Sequence, residues 1–145
     1  MKRTLGIIAA ALAPTLATAE PIVVPADGTV QETVERLQET VTAAGARVFT
    51  VINFGAGSKS VGQDIGDIQL VVFGNPRIGA AALSEDPMAA LDLPAKILVY
   101  ATEKGTQMAY ETPSEMLAGR NIPASAPVLQ AMLDTLDHVA TSAAN

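Results

Sequence analysis

IQLVVFGNPRIG, at residues 68–79, is the most apolar run of the sequence outside its first segment. Its first half, residues 68–73, is apolar on both faces of an extended chain, which predicts an interior β-strand. A Gly-Asn-Pro turn then breaks the strand, and Arg77 follows directly. We therefore expect a buried strand that delivers a charged turn to one edge of a sheet, a position suited to a functional site.

The first 19 residues have the three parts of an export signal. Residues 1–3 give a positive start, residues 5–16 form an apolar stretch, and small residues at 17 and 19 flank a cleavage position. The apolar stretch is shorter than the roughly 20 residues that span a bilayer. We predict a signal peptide at 1–19 that is cleaved after Ala19, one mature domain at 20–145, and a periplasmic or secreted location.

Composition limits the classes of function. The 145 residues carry 9 Lys and Arg against 15 Asp and Glu. Cleavage removes Lys2 and Arg3, which leaves seven cations and a net charge of −8. Because phosphate binding needs clustered cations, we expect no nucleic-acid partner, and we expect no membrane insertion after cleavage. The absence of cysteine excludes disulfides, thiolate nucleophiles and cysteine-ligated metals.

The mature chain begins with the pattern of a strand followed by a helix. Prolines bound the β-branched run PIVVP at residues 21–25, which predicts a short edge strand. Thr29 and Glu32 have capping-box spacing, and apolar residues then recur at helical intervals until Gly45 ends the helix. The apolar positions are Val30, Val34, Leu37 and Val41.

Three further strands complete the predicted sheet around residues 68–73. Residues 47–54 alternate as a half-buried strand does. Residues 95–102 and 106–111 form a hairpin through the turn at 103–105. Between the strand at residues 47–54 and the strand at residues 68–73, residues 55–66 contain four glycines and two serines. This composition predicts a flexible loop.

Helical pieces fill the remaining chain. Residues 78–91 are alanine-rich, and Pro87 interrupts the helix that they favour. Thr112 and Pro113 open a short helical segment. Ser125 is predicted to cap a last helix that has Pro127 in its first turn. No repeat and no linker divides the mature chain.

Three motifs on these elements resemble the family called domain of unknown function 302. They are FGNPR at residues 73–77, LDLPAK at residues 91–96 and YETP at residues 110–113. Their order and spacing match the family over roughly residues 29–138. The resemblance implies a TATA-binding-protein-like α+β fold of the β-α-β4-α type, a curved antiparallel sheet with helices packed on it. It also implies a homodimer.

The chain departs from the family at two positions. Where the family has Ile-Asp-His at the end of its second strand, this sequence reads Ile52-Asn53-Phe54. After the Asn-Pro turn, where the family has a threonine, residues 79–83 read GAAAL. If the Asp, His and Thr form a polar site in the family, this member has lost most of it.

Four residues are candidates for binding a ligand. Arg77 leaves the interior strand, and Lys96 starts the next strand, so the two cations are candidates to hold a carboxylate or sulfonate. The alternative is that each neutralises a nearby acid or a helix end. Asn75 and Asn53 are the remaining candidates, although Asn before Pro also suits a turn without any ligand.

Other chemistries find little support in the sequence. His138, the one histidine, is expected to be a solvated helical residue because no partner accompanies it. Asp64 and Asp67 lack the spacing of a calcium loop and are expected to be ordinary loop acids. The segment GAGSKS at residues 55–60 fails the phosphate-loop spacing. We expect no catalytic residue, no metal and no cofactor.

Three hypotheses for function follow. The first is an exported, non-catalytic, homodimeric binding or accessory domain. The second is a small anionic-ligand binder or weak enzyme that uses Arg77 and Lys96. The third is a structural partner that docks on another envelope protein through an exposed sheet edge.

Overall fold

The computed structural model describes residues 20–145; the predicted signal peptide lies outside the described residues. Strands and helices alternate along the first half of the chain, and a hairpin and two helices complete it. The elements are β1 (Ile22–Ala26), α1 (Val30–Ala43), β2 (Arg47–Asn53), α2 (Phe54–Ser60), β3 (Ile68–Gly74), α3 (Pro76–Glu85), a 3₁₀ helix (Pro87–Leu91), β4 (Ala95–Thr102), β5 (Gly105–Tyr110), α4 (Pro113–Met116) and α5 (Pro127–Ala143).

The five strands form one open sheet in the order β1-β5-β4-β3-β2, and every neighbouring pair is antiparallel. This confirms the predicted α+β fold with an antiparallel sheet. It also places β3 in the interior, as its apolar sequence indicates, and β1 at an edge, where its prolines are tolerated.

Helix α1 covers one face of the sheet. Its start is a capping box in which the Thr29 hydroxyl accepts from the Glu32 amide, and the Glu32 carboxylate accepts from the Thr29 amide at 2.8 Å. These bonds satisfy amides that have no partner within a helix. The apolar side of α1 packs with α5 against alternate residues of β3, β4 and β5. The fully buried members include Leu37, Val41, Val71, Ile97, Val99 and Met108.

A second apolar cluster joins α3, the 3₁₀ helix, α4 and α5 beside the sheet. Two carboxylates close it. Asp86 accepts hydrogen bonds from the amides of Met88 and Asn121, both at 2.8 Å. The Asp92 carboxylate accepts from the Arg120 side chain, and the two form an ion pair. We call these two contacts the acidic clamp, because they hold the 3₁₀ helix and the loop before α5 together.

Among the local predictions, the loop after β2 and the cap of the last helix are wrong. The segment after β2 is a helix through Ser60 rather than a loop, because Asn53 accepts from the Ala56 amide at 2.8 Å and caps it. The last helix is preceded by Ala126, and no side chain caps it, so Ser125 does not have the predicted role. Pro127 does lie in the first turn. The break at Pro87 and the short helix after Thr112 are confirmed.

Candidate functional site

A pocket lies where β3 ends, beside the Gly-Asn-Pro turn. Its volume is about 140 Å³. Five parts of the chain form its wall: β2, the end of β3, the start of α3, the segment before β4, and α5. The lining residues include Phe49, Phe73, Gly74, Asn75, Ile78, Gly79, Leu93, Pro94, Met132 and Thr135. We call this the turn pocket.

Asn75 fixes the geometry of the turn. Its side-chain oxygen accepts a hydrogen bond from the Arg77 amide at 2.9 Å, so Asn75 caps α3, and Pro76 occupies the first helical position. Its side-chain nitrogen donates to the Gly45 carbonyl at 3.3 Å, just beyond α1. One amide therefore joins the ends of two helices at the rim of the pocket.

A β-bulge brings Phe49 to the same rim. The register between β2 and β3 shifts between Val48 and Thr50, which leaves Phe49 without a direct partner across the strands. Its ring lies against Gly74, where an added Cβ would come within 3.2 Å of Phe49 Cε2. Phe49 is nevertheless 55% exposed. The missing side chain at Gly74 thus allows an aromatic ring to form one wall of the pocket.

The lining of the turn pocket is mostly apolar, and its polar side chains are Asn75 and Thr135. Helix α5 supplies Met132, Thr135 and the fully buried Leu136. The Thr135 hydroxyl donates to the Ala131 carbonyl at 2.8 Å, which leaves its lone pairs for a ligand donor. The residues that line the pocket include no acid, base, thiol or phenol. The arrangement suits binding, because acid–base chemistry needs a titratable group within hydrogen-bond reach.

The four candidate residues from the sequence do not form one site. Asn75 lines the turn pocket. Arg77 is exposed in the first turn of α3, and Lys96 is exposed at the start of β4, where its ammonium donates to the Asp92 carbonyl at 3.2 Å. Asn53 lies at the other end of β3, opposite Gln69. Asn75 is six positions beyond Gln69 along the chain, a span of roughly 20 Å in an extended strand.

The residues for which the sequence predicts no functional role, among them His138 and Asp64, lie on the protein surface. His138 is exposed on α5. Asp64 accepts from the Gly66 amide at 3.0 Å and lies 4.0 Å from the Lys59 ammonium. Within residues 20–145, no three His, Cys, Asp or Glu side chains are grouped so that they could hold a metal ion.

Tyr110 lies on the helix-covered side of the sheet, and its phenol contacts helix α5. Its hydroxyl donates to the Asp137 carboxylate at 2.6 Å. Burial and this acceptor together raise the pKa of Tyr110 well above its ordinary value. The phenol therefore stays protonated and serves to attach α5 to β5.

Reasoning from the sequence missed most of the pocket. Phe49, Leu93 and Met132 are distant from one another in the chain, and each looks like a core residue in its own element. One signal was available: two of the three quoted motifs, FGNPR and LDLPAK, supply Phe73, Gly74, Asn75, Leu93 and Pro94 to the lining.

A family model described as "Domain of unknown function DUF302" matches residues 22–143. The chain belongs to this family. The match covers nearly all of the described residues and includes every element from β1 to α5. The resemblance carried by the three motifs is thereby confirmed.

A solved DUF302 structure shows the same fold. The crystal structure of an uncharacterised conserved DUF302 protein from Bacillus stearothermophilus aligns with a TM-score of 0.78. The two chains are 22% identical, and the alignment covers 85% of this chain and 97% of the other. At this identity the likeness concerns the fold alone.

Curated relatives include longer proteins with a different description. Fluoride-specific ion channel FluC 1 of Brucella suis and FluC 2 of Brucella melitensis are each 34% identical over 76 residues. The aligned part is 52% of this DUF302 chain but only 30% and 28% of those relatives. The chain thus spans less than a third of their length. No helix within residues 20–145 is long and apolar enough to cross a bilayer.

Proposed function

We propose that this DUF302 chain is an exported, non-catalytic binding domain whose ligand is a small apolar molecule held in the turn pocket. The observation that carries the proposal is the lining: a pocket walled by Phe49, Phe73, Leu93 and Met132, with Thr135 and Asn75 as its polar groups. Binding sites for small molecules are typically concave and apolar, with a few polar groups that fix orientation.

The volume selects the size of the ligand. An apolar cavity of about 150 Å³ stays dry and accommodates benzene. The turn pocket, at about 140 Å³, fits a single ring or a short branched alkyl group. A ligand with one hydrogen-bond donor can also use the free lone pairs of Thr135. Larger ligands would have to extend past Phe49 into solvent.

Benzene and phenol, each a single ring, are suitable probes, and methyl NMR of the methionines gives a local readout. We expect both probes to shift the methyl resonance of Met132, which lines the pocket, and to leave that of Met88, on the exposed 3₁₀ helix, unchanged. Thermal unfolding should show stabilisation of about 2.7 kcal/mol at a ligand concentration 100 times the dissociation constant.

Gly79→Leu is designed to fill the pocket. An added Cβ at Gly79 meets no atom within 4 Å, so the new side chain has room beside the other lining residues. We expect this variant to abolish the Met132 shift. Gly57→Leu, a helical glycine in α2 with equally open surroundings, is the matched control and should keep it. Probes that leave Met132 unshifted, or a shift that survives Gly79→Leu, would overturn the proposal.

The anionic-ligand hypothesis is tested in the same experiment. Small carboxylates and sulfonates replace the apolar probes, and Arg77→Ala and Lys96→Ala replace the pocket variant. The separate positions of the two cations weigh against this alternative. Stabilisation by an anion that either variant removes would favour it over the apolar ligand.

The remaining parts of the proposal concern context. We propose export because of the signal pattern at residues 1–19, and a homodimer because the resemblance implies one. The accessory role is supported by the FluC relatives, in which a similar segment is part of a longer chain. Copurification of the exported protein with an envelope protein that carries no DUF302 segment of its own would support the accessory role.

A further inference from the structure

Phe49 differs from the buried side chains that line the turn pocket. Phe73, Met132 and Leu136 are no more than 5% exposed, so packing holds them in place. Phe49 is 55% exposed and lies on β2, an outer strand of the sheet. The bulge also leaves it without a direct partner across the strands, and such partners stabilise side chains in a sheet. The ring of Phe49 is therefore a movable part of the wall.

Gly74 provides the surface on which this ring rests. A Cβ added at Gly74 would lie 3.2 Å from Phe49 Cε2 and 3.6 Å from Pro94 Cβ. The edge of the ring and Pro94 therefore border the same space above Gly74. Because glycine has no side chain, this space admits a ring, and we call it the ring seat. In this structure the Phe49 ring occupies the ring seat.

The occupied ring seat limits the space that is left for a ligand. With the Phe49 ring in place, the remaining volume of about 140 Å³ fits one ring. A ligand of two fused rings would have to displace Phe49 from Gly74 and would lose this part of the wall. A ligand of one ring keeps the wall and gains an aromatic contact, since two rings attract each other beyond the area that they bury.

The chemistry of the wall favours an aromatic ring over an alkyl group. Phe49 and Phe73 present two rings to the pocket, and Met132 presents a thioether, which makes favourable contacts with the edge of an aromatic ring. The residues that line the pocket carry no charge, so an ionised ligand would lose its hydration without gaining a counter-ion. A neutral aromatic ring therefore fits the pocket best.

We propose that the ligand of the turn pocket is a neutral molecule with a single aromatic ring, and that Phe49 is the residue that sets this size limit. The selection is a competition, because the Phe49 ring occupies the ring seat that a second ligand ring would need. This inference rests on the proposed function and adds to it the class of ligand and the residue that selects the ligand.

Phenol and 2-naphthol test the proposal, because both carry one hydroxyl group and they differ by one fused ring. Their dissociation constants are measured from the methyl shift of Met132 in the exported protein. We expect the parent protein to bind phenol more tightly than 2-naphthol. In Phe49→Ala the vacated ring seat accepts the second ring, so we expect the ratio of the two dissociation constants to change about 10-fold in favour of 2-naphthol.

Phe54→Ala is the matched control. Phe54 is 44% exposed at the start of α2, so the same truncation is made at a phenylalanine of similar exposure outside the pocket lining. We expect this variant to keep the ratio of the parent protein. Both phenylalanines are exposed enough for the fold to tolerate alanine, and the Met132 resonance of each free variant verifies that it is folded.

Gly74→Ala tests the ring seat without removing the ring. The added methyl group meets the edge of the Phe49 ring, which is exposed and can move away. We expect phenol to bind about 3-fold more weakly to this variant, because the displaced ring no longer closes the wall. In the Phe49→Ala background, the same substitution should leave the affinity for phenol unchanged.

The outcomes separate this inference from the proposed function. If phenol leaves the Met132 resonance of the parent protein unshifted, both fail. If phenol binds but 2-naphthol binds as tightly, or Phe49→Ala keeps the ratio of the parent, the pocket remains a binding site and the role of Phe49 is overturned. An equal effect of Gly74→Ala with and without the Phe49 ring would also overturn it.

Discussion

Two glycines of α2 have different surroundings, although they lie two residues apart. An added Cβ at Gly55 would come within 2.5 Å of the Gly66 carbonyl oxygen, which is backbone and cannot rotate away. An added Cβ at Gly57 meets nothing within 4 Å. Gly55 is therefore required for close packing between α2 and the segment before β3, whereas Gly57 only lowers helix stability.

Alanine at these two positions should change stability in opposite directions. We expect Gly55→Ala to lower the free energy of unfolding by about 1–3 kcal/mol, because the backbone must shift to admit the methyl group. Gly57→Ala should raise it by about 0.5–1 kcal/mol, the difference in helix propensity. Urea unfolding of both variants checks this. Equal effects of the two substitutions would contradict the packing role of Gly55.

The missed helix α2 shows why a residue type alone is an incomplete guide. Four glycines between residues 55 and 66 predict a flexible loop, since glycine lowers helix propensity. Asn53 offsets that tendency by capping the helix, and Gly55 contributes by fitting where no side chain fits. The cap signal is present in the sequence, but the interpretation of Asn53 as a ligand-binding residue conceals it.

At the scale of elements, the acidic clamp makes the free energy of unfolding depend on pH. Hydrogen bonds from the Asn121 and Met88 amides lower the pKa of Asp86, and the bond from Arg120 lowers the pKa of Asp92. A carboxylate whose pKa is lower in the folded state adds stability above its unfolded pKa. That contribution is lost as the pH falls through the folded value.

We therefore expect the free energy of unfolding to fall as the pH drops below about 4. In Asp86→Asn combined with Asp92→Asn, the protein should be less stable at neutral pH and should lose less stability between pH 5 and pH 2. Urea titrations at several pH values measure this. Asp64→Asn, at an exposed loop acid outside the clamp, is the control and should keep the full acid dependence. If the double variant loses as much stability between pH 5 and pH 2 as the parent chain does, the clamp is not the source of the acid dependence.

Most elements were predictable because their signals are local. The capping box at Thr29, the alternation of β2 and the β-branched run of β1 each act within a few residues. The predicted start of α3 is two residues late, since Asn75 has the pattern of a turn residue and is in fact a helix cap. Arg77 consequently lies in the first turn of a helix rather than at the tip of a turn.

At the scale of the whole molecule, the export hypothesis has a direct test. We expect the protein isolated from the periplasm or the medium to begin at Glu20, because cleavage follows Ala19 in the predicted signal. Intact mass measurement gives the start of the chain to a single residue. Ala17→Arg combined with Ala19→Arg should block processing, since the cleavage site needs small residues. An intracellular protein that keeps its first 19 residues would contradict export.

The turn pocket was beyond prediction from the sequence because it depends on long-range pairing. Phe49 reaches it through a bulge, Met132 through the packing of α5, and Leu93 through the path of the chain into β4. None of these arrangements has a local sequence pattern. Charge made Arg77 and Lys96 candidates in the sequence. Of the four candidate residues, however, only Asn75 lines the turn pocket.

The bulge at Phe49 has a consequence for self-assembly at the margins of the sheet. An open sheet has two outer strands whose unpaired amides and carbonyls can template further strands. In β2 the bulge interrupts the regular spacing of those groups, and in β1 Pro25 removes one donor altogether. Both features weaken the template for strand-by-strand growth at the margins of the sheet, so we expect concentrated solutions of this protein to resist amyloid formation.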